Sequence, residues 1–293
     1  VTLRPSSLPK IRRQTLRFLN DPSSAIRSNA SPELAPGLDA LAVNLEAADL
    51  YWAREDMAAL AVHAGEQLAA ARWSTSDRPS PCGLLFWQGG IGHMDGYGVE
   101  IPVEACAWGP HGGEMMLWLL MSRDRLASVV DGNRQFTLLT DEIPPLVPVF
   151  GSTIPITADP LPMAELDSEL PASVVSALAS AWLLMQQPLL VDRTRERADK
   201  PTARAYVRDG LPAPEVTVVD LRRQYTPGDQ DPDGGEGGRH YRYRWVVSGH
   251  WRTYKSERYS EETRASKHWI PSHVKGPDGA PLLSTEKVNV WRR

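Results

Sequence analysis

The stretch between Pro171 and Pro188 reads as a helix with almost no polar face. Asp167 or Ser168 offers a cap, Pro171 suits the first turn, and the helix stops before Pro188. Val174, Val175, Leu178, Trp182, Leu183, Leu184 and Met185 fall on nearly every side of it. A helix that is apolar all round is stable only when surrounded by other apolar groups. No uninterrupted apolar run in the chain approaches the roughly eighteen residues of a membrane span, so this helix requires a protein core on all sides. The 293 residues suffice for that. A chain of this length hides roughly three quarters of its unfolded surface and needs no disulfide or metal to fold. Cys82 and Cys106 are in any case too few for a zinc site or a disulfide framework.

Ahead of this helix the pattern changes several times. Residues 9–19 are expected to form a short basic helix whose apolar residues are ragged in phase, packing loosely on the body; 21–37 reads as a loop. Helices are expected over Leu38–Tyr51 and Asp56–Ala71. The second has Met57, Leu60, Ala64 and Leu68 in phase and Asp56 as its cap. Gly83–Gln88, Val99–Trp108 and Met115–Met121, separated by glycine-bearing turns, read as an antiparallel meander. Gly90-Ile91-Gly92 is not a dinucleotide loop, because a third glycine is missing and a strand follows. The proline-dense segment from Asp141 to Leu166 reads as an extended surface connector, and Arg193–Arg208 as a solvated helix.

Charge is distributed unevenly. Residues 239–293 hold twelve Lys or Arg against five acids, a net of +7. With -4 for the whole chain, the preceding 238 residues carry -11. Four of the seven histidines and eight of the 22 aromatic residues also lie in the tail. Cations attract phosphate and aromatic faces stack on bases, so this composition points to nucleic acid, RNA or DNA.

The tail also has strand periodicity. Glu215–Arg223 alternates, 226–238 is an acidic glycine-rich loop, and Tyr241, Tyr243 and Trp245 share one parity while His240, Arg242 and Arg244 share the other. His250-Trp251-Arg252 and Lys267-His268-Trp269-Ile270 continue the theme. A curled antiparallel sheet of about four strands, Glu215 onward included, is expected to gather these cations on one face. His240, Arg242, Arg244, Lys255, Lys267 and Lys275 are the candidate nucleic-acid contacts. His250, Arg252 and His268 are the candidate catalytic groups. Two imidazoles and a guanidinium suit metal-independent phosphodiester cleavage, because imidazole exchanges protons near neutrality and guanidinium stabilises charge building on phosphorus.

The run Arg244-Trp245-Val246-Val247-Ser248-Gly249-His250-Trp251-Arg252 resembles a tail found in uncharacterised proteins of actinobacteria and their phages and plasmids. So do the segments 269–282 and 287–293, and the front segment from Ala48–Trp52 through Arg78–Gly83. The resemblance implies a bacterial, mobile-element origin and carries no activity with it.

The chain is therefore expected to be α+β, with a basic helix and loop (1–37), helices plus a meander (38–165), and a buried helix with a basic antiparallel sheet (166–293). Nucleic-acid binding through the tail is the leading function. A protein-binding regulator with an acidic body is an alternative from another class. A third is a small-molecule enzyme using Asp56, His93, Asp95 and His111 between meander and helices. No Walker loop, zinc-protease helix or nucleophile elbow is present, which argues against NTP hydrolysis and against serine or zinc hydrolysis; no metal or cofactor is expected. The basic start lacks a secretory h-region, and with no membrane partner a cytoplasmic location is expected.

Overall fold

The computed structural model describes residues 3–68, 72–96, 99–126, 143–156, 161–162, 169–188, 190–221, 245–247, 249–265, 267–270 and 273–275. The chain divides into two compact units, Val1–Arg222 and Arg223–Arg293. The helices are α1 (Leu8–Asn20), α2 (Ala25–Ser28), α3 (Ala35–Ala47), α4 (Glu55–Glu66), α5 (Ala172–Met185), α6 (Lys200–Arg208) and α7 (Glu261–Ala265). The strands of the first unit are β1 (Asp49–Ala53), β2 (Arg72–Trp73), β3 (Gly83–Trp87), β4 (His93–Gly96), β5 (Val99–Pro102), β6 (Ala105–His111), β7 (Glu114–Ser122), β8 (Leu146–Pro155), β9 (Leu161–Pro162), β10 (Val191–Arg197) and β11 (Glu215–Leu221). Those of the second are β12 (Trp245–Val247), β13 (His250–Thr253), β14 (Lys267–Ile270) and β15 (His273–Lys275).

The first unit is built on a seven-stranded sheet in the order β10-β11-β1-β3-β6-β7-β8. β11, β1 and β3 run parallel and the other neighbours antiparallel, so the class is α+β with an antiparallel-dominated sheet. The meander is present as β3, β6, β7 and β8, and its expected second strand is split: Val99–Pro102 pairs with His93–Gly96 in a separate hairpin. Gly89, Gly90 and Gly92 make the turn into that hairpin with φ of 93°, 83° and 129°, where a side chain would be strained.

The central strand was hidden within an expected helix. α3 ends at Ala47, and Asp49–Ala53 becomes β1, paired on both sides. Its bulky residues need both faces of a sheet. Trp52 stacks on Phe86 at 4.3 Å on one face, and Tyr51 lies against Trp108 at 5.8 Å on the other. α4 supplies the crossover that parallel β1 and β3 require. It starts at Glu55, so Asp56 sits in the first turn and does not cap it.

Two helical layers cover the sheet. α1 and α3 bury their apolar faces against Leu50, Trp52, Leu84, Phe86, Ala105, Ala107, Met116 and Trp118. On the opposite face Trp182 of α5 meets Trp108 at 5.2 Å, and Trp73 closes on Trp182 at 6.0 Å. α4 packs on α5 so closely that a Cβ on Gly65 would lie 2.9 Å from the Ala177 backbone. Every residue of α5 from Val174 to Met185 is buried, as its sequence demands. Pro171 directly precedes it; Asp167 and Ser168 lie outside the described residues.

Four further expectations change. α1 is not loosely packed: Leu8, Ile11, Thr15, Phe18 and Leu19 form a buried stripe at helical spacing. The proline-dense connector contains β8, an edge strand of the sheet, with Pro148 at the register shift opposite Leu119/Leu120 where no ladder N–H is needed. The mixed-charge stretch begins as β10, the other edge strand, whose Arg195 and Arg197 reach Glu215. Glu215–Leu221 joins this sheet and not the tail, because Val216 and Val218 bury on the α1/α3 face and Val219 on the other. One sheet thus holds strands from Asp49 to Leu221, and the division between units falls after Arg222 and not at 165/166.

An ideal Cβ on Gly83 would lie 2.1 Å from Trp108 Cζ2, inside an indole that is only 1 % exposed. Gly83→Ala should therefore destabilise the protein by about 1–3 kcal/mol in urea unfolding, since the ring has no room to retreat. A second prediction concerns acid. Arg13 pairs with Asp209 and holds that carboxyl below the ordinary 3.8. A carboxyl whose folded pKa is depressed stabilises fully above its unfolded pKa of about 3.9, and that contribution is lost as pH falls through the folded value. Asp209→Asn should be less stable than the parent at pH 7, and the gap should close near pH 2 in melting experiments.

Candidate nucleic-acid interface

The second unit is described as two antiparallel ladders, β12 with β15 and β13 with β14. In the second, His250 faces Ile270, Trp251 faces Trp269, Arg252 faces His268 and Thr253 faces Lys267. Directly opposed residues share a face and neighbours along a strand alternate, so His250, Arg252 and His268 stand on one side. Trp251, Trp269, Thr253 and Lys267 stand on the other. There Trp251 meets Trp269 edge-on at 5.3 Å, and Trp269 is buried. Gly249 makes room for that ring: a Cβ at this position would lie 2.5 Å from Trp269 Cζ2. The indole pair anchors the ladder and turns the cationic face away from it.

The loop joining β13 to β14 completes the face. Tyr254 continues the parity of His250 and Arg252, and the Arg252 guanidinium lies over its ring at 5.0 Å. The same ring meets Tyr259 at 4.5 Å and the His268 imidazole at 5.2 Å. His268 Nε2 is 3.2 Å from the Thr263 carbonyl, a contact that holds the ring in orientation. Arg252 and His250 are exposed, Tyr254 and His268 half-buried, and Tyr259 is 38 % exposed. Lys255 is exposed one residue beyond Tyr254. Among the described residues, Arg252, Lys255, Arg258 and Arg264 form no ion pair.

Of the nine expected site residues, this geometry gathers His250, Arg252 and His268. Lys267 falls on the opposite face, and Lys275 belongs to the β12/β15 ladder. His240, Arg242 and Arg244 lie outside the described residues, as do the acidic loop 226–238 and the segment 287–293. Tyr254 and Tyr259 were not singled out from sequence. Tyr254 was within reach of the same parity argument, whereas Tyr259 arrives only through the course of the loop.

The four polar residues named for a small-molecule pocket do not share one end of the sheet. Asp56 and His93 lie beyond the carboxyl end of β3, while His111 ends β6 beyond the opposite end of that strand. Two of the α1 cations, Arg12 and Arg13, are engaged within the unit. Arg12 donates to the Ala48 carbonyl at 2.8 Å and to the Tyr206 hydroxyl at 3.0 Å, and Arg13 lies over the Tyr206 ring at 4.7 Å. Burial pushes the thiols of Cys106 and Cys82 up, which keeps both protonated at neutral pH. Among the described residues no group of three His, Cys, Asp or Glu could hold a metal, and no helix is long and apolar enough to cross a membrane. Comparison with protein-family models, curated proteins and solved structures finds no match to this chain.

Proposed function

We propose that the C-terminal unit binds single-stranded nucleic acid on the β13/β14 face. The observation that carries this reading is the layered group Arg252–Tyr254–Tyr259–His268, in which an exposed guanidinium covers one of several clustered rings. Such a group meets the two needs of a single strand: a cation for the phosphate and a π-face for the base. The net +7 of residues 239–293 supplies the longer-range attraction. Duplex readout has less support, because paired bases are stacked on one another and offer no free face to the rings.

The test is fluorescence anisotropy with a labelled mixed-sequence 12-mer. Affinity should fall log-linearly with salt. Arg252→Gln should lower the slope by about 0.7, the share of one phosphate contact. Tyr254→Ala should weaken binding by about 1–3 kcal/mol with the slope unchanged, because stacking carries no counterion term. Salt-independent binding, or affinity unchanged from the parent in both variants, overturns the reading.

The register favours a second reading on the same face, since it sets two imidazoles beside a guanidinium. With RNA bound, a neutral imidazole takes the 2′-hydroxyl proton as that oxygen attacks phosphorus. The protonated imidazole gives its proton to the departing 5′-oxygen as the P–O5′ bond breaks, leaving a 2′,3′-cyclic phosphate and a 5′-hydroxyl. Arg252 would offset the charge on the phosphoryl oxygens. His250→Ala should lower cleavage of mixed RNA in chelator by at least about 100-fold while oligonucleotide affinity changes little. Equal cleavage by parent and variant, or none by the parent, removes catalysis and leaves binding intact.

A further inference from the structure

The acidic first unit has a surface whose chemistry is the reverse of the tail's. A groove of about 520 Å³ runs between the start of α3 and the strands β7 and β8. Met116 and Trp118 form its floor, and Glu33, Glu114 and Glu169 stand on its walls with Leu34. The floor depends on one glycine. A Cβ on Gly151 would lie 2.6 Å from the Trp118 indole, whereas a Cβ on Gly37 would meet the same ring and Met116 at ordinary contact distances of 3.5 and 3.6 Å. Trp118 donates its Nε1 hydrogen to Met116 Sδ, so no N–H on the floor is left seeking a partner. Among the described residues none of the three carboxylates is in an ion pair, unlike Asp39, Glu196, Asp209 and Glu215 elsewhere in the unit. Leu34 is 42 % exposed at the rim.

One wall of the groove is also a sheet edge. β8 is the last strand in the sheet order, and Gly151, Ser152, Thr153 and Pro155 line the groove. Pro155 has no N–H to give β7, and strand N–H groups alternate, so Gly151 and Thr153 share its outward parity. An edge offering backbone donors and acceptors beside an apolar floor is the arrangement that accepts an added strand. Three uncompensated carboxylates select the sign of what is added: they repel nucleic acid and acidic peptides and attract Lys or Arg.

We infer that this groove docks an extended, cationic segment of a partner protein, added in β fashion along β8 with its basic side chains toward Glu33, Glu114 and Glu169. The inference uses the first unit alone and is independent of the nucleic-acid reading. The probe is a labelled peptide of alternating Lys and Val, eight residues long, with a Glu-Val peptide as control, titrated against the full chain. The Lys-Val peptide should bind and the control should not. Glu33→Gln/Glu114→Gln/Glu169→Gln should weaken binding at least about tenfold. Thr153→Pro, which removes one outward N–H and no charge, should weaken it at least about threefold. Circular dichroism melts that match the parent show that both variants fold. Two results overturn the proposal: peptide affinity unchanged in the triple variant, or loss in that variant with none in Thr153→Pro, which is general charge adhesion. Sedimentation supplies a third. A dimer of the parent that disperses in the triple variant assigns the groove to a second copy of this chain.

Discussion

The first unit is held by the way Trp108 occupies the place a side chain would take at Gly83. Its indole lies flat on the β3 backbone, stacks beside Tyr51 of β1, and presents an edge to Trp182 of α5. A column of Tyr51, Trp108, Trp182 and Trp73 therefore ties the central strand to the apolar helix across a single face of the sheet. Large rings bury much apolar area with few rotatable bonds, and their edge-on contacts add directional preference. The missing Cβ at Gly83 allows the approach, so one atom's absence governs where α5 can sit.

Charge is handled differently in the two units. In the first, the described arginines are largely used in structure: Arg12 bonds a carbonyl and a hydroxyl, Arg13 pairs with Asp209, Arg54 with Glu196, and Arg195 and Arg197 with Glu215. Such partly exposed pairs contribute little each to stability, but they leave few cations free for a ligand. In the second unit Arg252 lies on an aromatic ring, and the cations of the β13/β14 loop stand clear of described carboxylates. Glu215 is engaged by Arg195 and Arg197 of β10.

Periodicity revealed those parts of the fold that depend on one element. α5, the strands of the meander and the one-face grouping of His250 and Arg252 all follow from residue spacing along a single helix or strand. It misled where the deciding partner is distant. Leu38–Tyr51 has helical composition, but Tyr51 and Trp52 are drawn into a strand because β3 and β11 pair with it from both sides. Arg193–Arg197 looks like a solvated helix and becomes an edge strand because the distant β11 pairs along its whole length. Proline hid β8, since an edge strand tolerates residues that a central strand rejects.

From the amino-acid order alone came the α+β class, the buried helix, the split of charge between body and tail, and the pairing of histidine with a cation at 250–252 and at 267–268. Those properties reside in composition and short-range alternation, which no later contact can reverse. Tertiary structure decided which strands are neighbours, that Glu215–Leu221 belongs to the body, that Tyr254 and Tyr259 close around Arg252 and His268, and that three glutamates surround one apolar groove. Each of these joins residues through space that the chain separates by loops or whole strands. Their association depends on packing free energy summed over the fold, and local spacing holds no record of it.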